Sequence, residues 1–230
     1  MNCNCFLKIC YTSNITEKAL TIPKKQRIIT CVKTHREWEY KMETSTARLK
    51  KLTIAGMLVA VGILIPMFSP VRVVIEPASF TLASHVVIFM AMFISPLMAV
   101  AVSVGTTIGF QFGGFPLVVV LRAGSHALYA FVGAYYLHKI AKEPLSPVKA
   151  RVFSFAMAII HAIAEVAVVS VFFFGGTINP MSLEQGFFVS VIMLVGVGTI
   201  VHSMVDFEIA RFVVKPLKKQ RSLVALFSRA

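Results

Sequence analysis

Six apolar runs occupy most of the chain beyond residue 51, each bounded by proline, glycine or charged breaks. They cover residues 52–68, closed by Pro66 and Pro70; 78–94 and 97–112, hinged at Ser95-Pro96; and 115–140, 148–174 and 186–214. A membrane-crossing helix needs about 20 predominantly apolar residues, with a practical range of roughly 17–25, so each run reads as a span, the second and third being short. The pattern predicts an all-α integral membrane protein built as a six-transmembrane-helix bundle.

Composition agrees. Hydrophobic residues make up 57% of 230 and charged residues 14%, with a mean hydropathy of +0.79, well above soluble globular usage. The net charge of +13 invites a nucleic-acid reading, but 21 of the 23 Lys and Arg lie in residues 8–51, 139–151 and 211–229. They flank apolar runs and set topology. With six spans the basic leader, the 139–151 loop and the basic tail fall on one side, so both termini are expected to be cytoplasmic. Were 78–112 one bent helix, the basic tail would land outside.

The chain divides into a basic leader (1–46), a membrane domain (47–216) and a basic tail (217–230). All four cysteines, Cys3, Cys5, Cys10 and Cys31, lie in the leader at a spacing that fits no zinc framework, so neither a disulfide scaffold nor a redox site is supported. The leader lacks amphipathic periodicity and a secretory h-region with a cleavage site. Met42 opens "METSTARLKKLTIAGML" and is expected to be the physiological start.

Polar residues inside the spans carry the chemistry, since each costs about 2.5–3.5 kcal/mol at the bilayer centre on insertion scales. Three pairs show i, i+4 spacing and so share a helix face: Arg122/His126, His161/Glu165 and His202/Asp206. At ~1.5 Å per helical residue, His85 and Arg122 lie about 10 Å from the outer ends, Glu165 about 14 Å, His126 about 16 Å and His161 about 20 Å. His85, Arg122, His126 and Glu165 therefore converge as an outward-facing pocket, while His202 and Asp206, roughly 24 and 30 Å down, read as an interfacial pair. Arg122 and Glu165 neutralising one another is the competing interpretation. The loops 71–80, 111–116 and 172–180 add Gly-Gly pairs, aromatics, Gln111 and Asn179, the makings of a lid over a small polar ligand. In the first span Gly56 and Ala60 form a small-xxx-small element, which admits a close helix partner from this bundle or another chain.

The run "FTLASHVVIFMAMFISPLMAVAVSVGTTIGFQFGGFPLVVVLRAGSHALYAFVGAYYL" (80–137), behind a basic start and the small-xxx-small element, resembles the substrate-binding S components of energy-coupling-factor (ECF) transporters. The likeness covers about residues 50–214, and its "TLASH", "FISP" and "LRAGSH" segments are those of the niacin-type branch. Gly56 stands where that family usually has Ala; the leader has no counterpart. The resemblance implies a multi-pass subunit of the bacterial cell membrane, without enzymatic activity or a cofactor of its own. Such a subunit takes a vitamin from outside and delivers it inward with a membrane T component, docked through Gly56 and Ala60, and two cytoplasmic ATPase subunits that use ATP. The absence of G-x-x-x-x-G-K-[ST] agrees that this chain is not the motor.

An arginine in low dielectric suits bidentate capture of a carboxylate, so Arg122 with His85 or His126 fits nicotinate. Cobalamin or another vitamin precursor is the alternative cargo. The competing class is an intramembrane metalloenzyme using His85, His126, His161 and Glu165 as zinc ligands, but there is no H-E-x-x-H. No metal ligand is therefore assigned, and partners are expected to be a small vitamin, lipid and the transporter subunits, with no nucleic acid.

Overall fold

Prolines and paired glycines end most of the helices where the sequence marks them. The computed structural model describes residues 48–75, 77–141, 145–178, 180–220, 223 and 227. The leader, Met42, Asn179 and most of the tail lie outside the described residues. The chain divides into a unit Met1–Leu52 and a unit Thr53–Ala230, and the helical bundle belongs to the second.

The first helix, α1 (Arg48–Phe68), gives way at Ser69-Pro70 to a two-stranded antiparallel hairpin, β1 (Arg72–Ile75) and β2 (Ala78–Thr81). A turn leads into α2 (Val86–Ile94), and Ser95 then caps α3 (Pro96–Phe112) by accepting the Met98 N–H at 3.2 Å, with Pro96 in the first turn. Gly113-Gly114 ends α3, Gly114 having the positive φ that a tight reversal requires. Next come α4 (Leu117–Ile140), whose last turn, Tyr136–Ile140, is π-helical, and α5 (Pro147–Phe174), capped by Ser146 and ended by Gly175-Gly176. A short α6 (Pro180–Glu184) precedes α7 (Phe188–Leu217), which is π-wound from Phe188 to Val197 and α-helical from Gly198.

Four of these helices, α1, α4, α5 and α7, are long and apolar enough to cross a membrane, and α3 is a shorter apolar helix. The protein is a helical membrane protein. The expected second span, 78–94, is not a continuous helix: its first four residues form β2, and only Val86–Ile94 is helical. The β-branched "RVVI" and Pro77 favour a paired extended segment, and pairing the two strands satisfies backbone groups that lipid would leave bare.

Helix α2 is apolar all round, and every residue from Val86 to Ile94 except Met90 is buried, as expected of a helix packed on all sides. Around it Phe89 and Phe93 meet Phe207 of α7, with ring centroids 5.2 and 6.0 Å apart. Gly133 of α4 faces Met92 and Met157, where a Cβ would lie 3.0 Å from each sulfur. Gly198 plays the same part for the hairpin: its missing Cβ would stand 2.5 Å from the Phe80 ring.

Candidate ligand site

The hairpin, the start of α2 and helices α1, α3, α4, α5 and α7 line a cavity of about 310 Å³. Its apolar wall carries Phe80, Phe110, Phe115 and Phe172, drawn from the three loop regions that the sequence marked as a lid and their edges. Its polar wall carries His85, Arg122, His126, Glu165, Thr199 and His202.

Glu165 organises that wall. Arg122 Nη2 donates to Glu165 Oε2 at 2.9 Å and the Thr199 hydroxyl donates to the same oxygen at 2.6 Å. The other oxygen, Oε1, is 3.2 Å from His126 Nε2 and 3.5 Å from His161 Nε2. All are buried, Glu165 at 3% exposure and Arg122 at 6%. The Arg122–Glu165 pair is thus formed, yet it uses only part of the guanidinium: Nη1 reaches the Pro77 carbonyl at 3.4 Å, and Nε has no hydrogen-bond partner among the described residues.

A second carboxylate holds the turn before α2. Asp206 accepts the backbone N–H of Ala83 at 2.8 Å and of His85 at 2.9 Å, and its Oδ2 is 3.2 Å from His85 Nδ1. Ala83 has φ 68°, a left-handed conformation uncommon for a residue with a Cβ, and the bond from its N–H to Asp206 helps to hold it there. Ser84 Oγ lies between the two imidazoles, 3.2 Å from His85 Nδ1 and 3.1 Å from His202 Nε2.

The structure brings together His85, Arg122, His126 and Glu165 in one cavity, with His85 deeper than a helix over 78–85 would put it. It does not place Gln111 with them: Gln111 is exposed in the last turn of α3, while its neighbour Phe110, about 100° round the helix, lines the cavity. His202 and Asp206 do not form a separate interfacial pair. Asp206 is fully buried and the His202 ring is 5.0 Å from that of His85. Residues 78–81 are extended and advance about 3.3 Å per residue rather than the 1.5 of a helix, which sinks His85 toward the middle of α7 and into contact with His202. Thr199 joins the site from a signal the chain does carry: Thr199, His202 and Asp206 follow i, i+3, i+7 and so mark one polar stripe on α7.

Gly56 and Ala60 lie on the other kind of surface. Both are exposed on α1, beside exposed Met57, Val61 and Leu64, and among the described residues a Cβ on Gly56 would meet nothing within 4 Å. Internal packing in α1 falls instead to Gly62, whose Cβ would stand 2.9 Å from Thr106 Oγ1. The small residues of α4 do pack inward: Ala123, Ala130 and Gly133 are buried and Ala127 is half-buried.

The chain is similar to the niacin transporter NiaX of Lactococcus lactis subsp. cremoris, with 44% identity over 177 residues, or 76% of this chain and 78% of that protein. No family model matches the chain, and no solved structure does.

Proposed function

Since this chain belongs to the niacin-type S components of energy-coupling-factor transporters, we propose that it is the vitamin-binding subunit for niacin and that the cavity is its binding site. It is a transport protein, not an enzyme. The observation that carries the assignment is the joining of Arg122, His85 and His126 in one cavity with phenylalanine walls. A pyridine carboxylate needs a cationic fork at one end and aromatic surface along the ring, and Arg122 retains N–H donors beyond those given to Glu165 and Pro77. A space of about 310 Å³ suits one or two rings and is at the small end for ligand pockets, which favours niacin over a corrinoid such as cobalamin.

In this reading the chain crosses the membrane six times, through α1, α2, α3, α4, α5 and α7, with both termini cytoplasmic. The hairpin completes the pass that the nine-residue α2 begins. The exposed Gly56/Ala60 face of α1 is where a T component docks, and two ATPase subunits supply the energy.

The assignment is tested by nicotinate and nicotinamide binding to the purified subunit. Wild type is expected to prefer the acid. Arg122→Lys keeps the charge beside Glu165 but loses the planar fork, so nicotinate affinity should fall by at least about tenfold while nicotinamide affinity stays nearly level. Equal losses for both ligands would remove Arg122 as the carboxylate anchor.

A further inference from the structure

One ligand atom from each of His85, His126, His161 and Glu165 lies within 4.8 Å of all the others, and all four residues are buried. The three imidazoles face one another edge to face: His85–His126, His85–His161 and His126–His161 centroids are 4.6, 4.7 and 4.7 Å apart, at interplanar angles of 72°, 70° and 87°. Edge-to-face contact at these distances is ordinary for packed rings; what sets this group apart is that each ring also brings a nitrogen toward the same carboxylate. Glu165 Oε1 sits 3.2 Å from His126 Nε2 and 3.5 Å from His161 Nε2. Two ligands held at ~2.0–2.1 Å by one tetrahedral ion are themselves about 3.4 Å apart, so both separations fit edges of such a polyhedron, and the first is also a hydrogen-bond distance.

Hydrogen bonding leaves the cluster incomplete. His161 is fully buried, and neither of its ring nitrogens has a hydrogen-bond partner among the described residues, a condition that buried polar groups rarely tolerate. Surrounding contacts orient two of the four residues, His85 and Glu165. A proton on His85 Nδ1 is held by Asp206 Oδ2 at 3.2 Å, which leaves Nε2 as the free donor of an electron pair. Thr199 and Arg122 both bind Glu165 Oε2, leaving Oε1 for the cluster. Carboxylate on imidazole and hydrogen-bond donors on carboxylate are how outer-shell groups fix metal ligands.

We propose that His85, His126, His161 and Glu165 form a mononuclear site for a divalent cation of the zinc type, and that the ion expands from four- to five-coordinate to take the carboxylate of the cargo from the cavity side. Three imidazoles with one carboxylate select zinc or a neighbouring late first-row ion over magnesium or calcium. His85, His126 and Glu165 line the cavity while His161 stands behind them, so the ion's open side faces the space that Arg122 also borders. The site anchors an anion; no bond in the cargo is broken. The existence of the metal site is independent of the niacin assignment, whereas its role toward cargo rests on it.

The full chain, purified in detergent without vitamin and stripped by chelator, is to be reloaded with Zn²⁺ and its metal counted by plasma mass spectrometry, with Co²⁺ as a spectroscopic substitute. The expected result is one zinc per chain and the visible bands of four- or five-coordinate Co²⁺. His161→Phe, which keeps a ring against Tyr129, and Glu165→Gln should each weaken zinc at least about tenfold, whereas His138→Gln, a histidine outside the cluster, should retain it. If His161→Phe does not elute as a single folded species, His126→Gln takes its place. Wild type holding far less than one zinc, or the cluster variants holding as much as wild type, would overturn the site. Nicotinate should shift the Co²⁺ bands. Nicotinate bound equally well by metal-free protein would overturn the anchoring role. Stoichiometric zinc with no nicotinate binding at all would also overturn that role, and the niacin assignment with it, while the metal site stands.

Discussion

Asp206 accepts two backbone N–H groups, those of Ala83 and His85, whereas Glu165 is held by side chains alone: Arg122, Thr199 and His126. The two carboxylates share a sequence context. Each follows a histidine by four residues on a long apolar helix, and each is nearly or fully buried. What separates them is whether the partner can move. A backbone N–H in a fixed turn cannot leave without remaking the turn, so Asp206 is committed to holding the turn between the hairpin and α2 against α7. Arginine, threonine and histidine side chains can reapportion their hydrogen bonds when a ligand or an ion arrives, so Glu165 can serve a binding site. Residues with the same motif thus differ in what they touch, backbone for Asp206 and side chains for Glu165, and only the second arrangement suits the proposed site.

The sharpest way to break this comparison is Asp206→Ala. It removes the acceptor from two backbone donors and from His85, and breaking a buried, charge-assisted set of this kind costs about 3–5 kcal/mol. The expected outcome is loss of a monodisperse folded species in thermal unfolding and size-exclusion assays, at saturating nicotinate as well as without it. A variant that keeps the wild-type unfolding midpoint and loses only ligand affinity would make Asp206 a site residue like Glu165.

Arg122→Ala is expected to have a smaller but related effect. It leaves Glu165 buried without its guanidinium partner, so stability should drop, by up to about 3 kcal/mol given that Thr199 and His126 remain. Adding Glu165→Gln should restore most of that stability, since the uncompensated charge is gone, and should not restore nicotinate binding. Thermal unfolding and ligand binding measured on the same double-mutant cycle separate the two. Recovery of binding in the double variant would mean that Arg122 serves only to neutralise Glu165.

Gly56→Trp should change the pocket least. The position is exposed, with none of the described residues near its missing Cβ, so stability and nicotinate affinity should stay within the range of ordinary surface changes, about ±0.5 kcal/mol. Co-purification with the T component and ATPase subunits should be lost, and with it uptake by cells. If ligand binding falls together with co-purification, the α1 face is not a separate docking surface.

Much of this was legible along the chain. Apolar length alone marks α1, α4, α5 and α7, because lipid has no hydrogen bonds to offer and a spanning segment must satisfy its own backbone. Proline and glycine mark most of the ends, and the cost of polar groups in hydrocarbon singles out Arg122, His126, His85 and Glu165 without any coordinates. The i, i+4 spacing places His161 beside Glu165 and His202 beside Asp206 on their helices. Tertiary structure alone decided how those faces meet. Residues 78–81 carry an apolar pattern compatible with helix or strand, and their choice of strand, made by pairing with Arg72–Ile75, moved His85 into register with His202 and Asp206. Distances between helices are likewise absent from a one-dimensional pattern: that Glu165 lies within reach of Arg122, Thr199 and three imidazoles depends on the packing of α4, α5 and α7 around α2. Sequence states which groups cannot face lipid. The packed bundle states which of them they face instead, because only there do partners far apart in the chain compete for the same few ångströms.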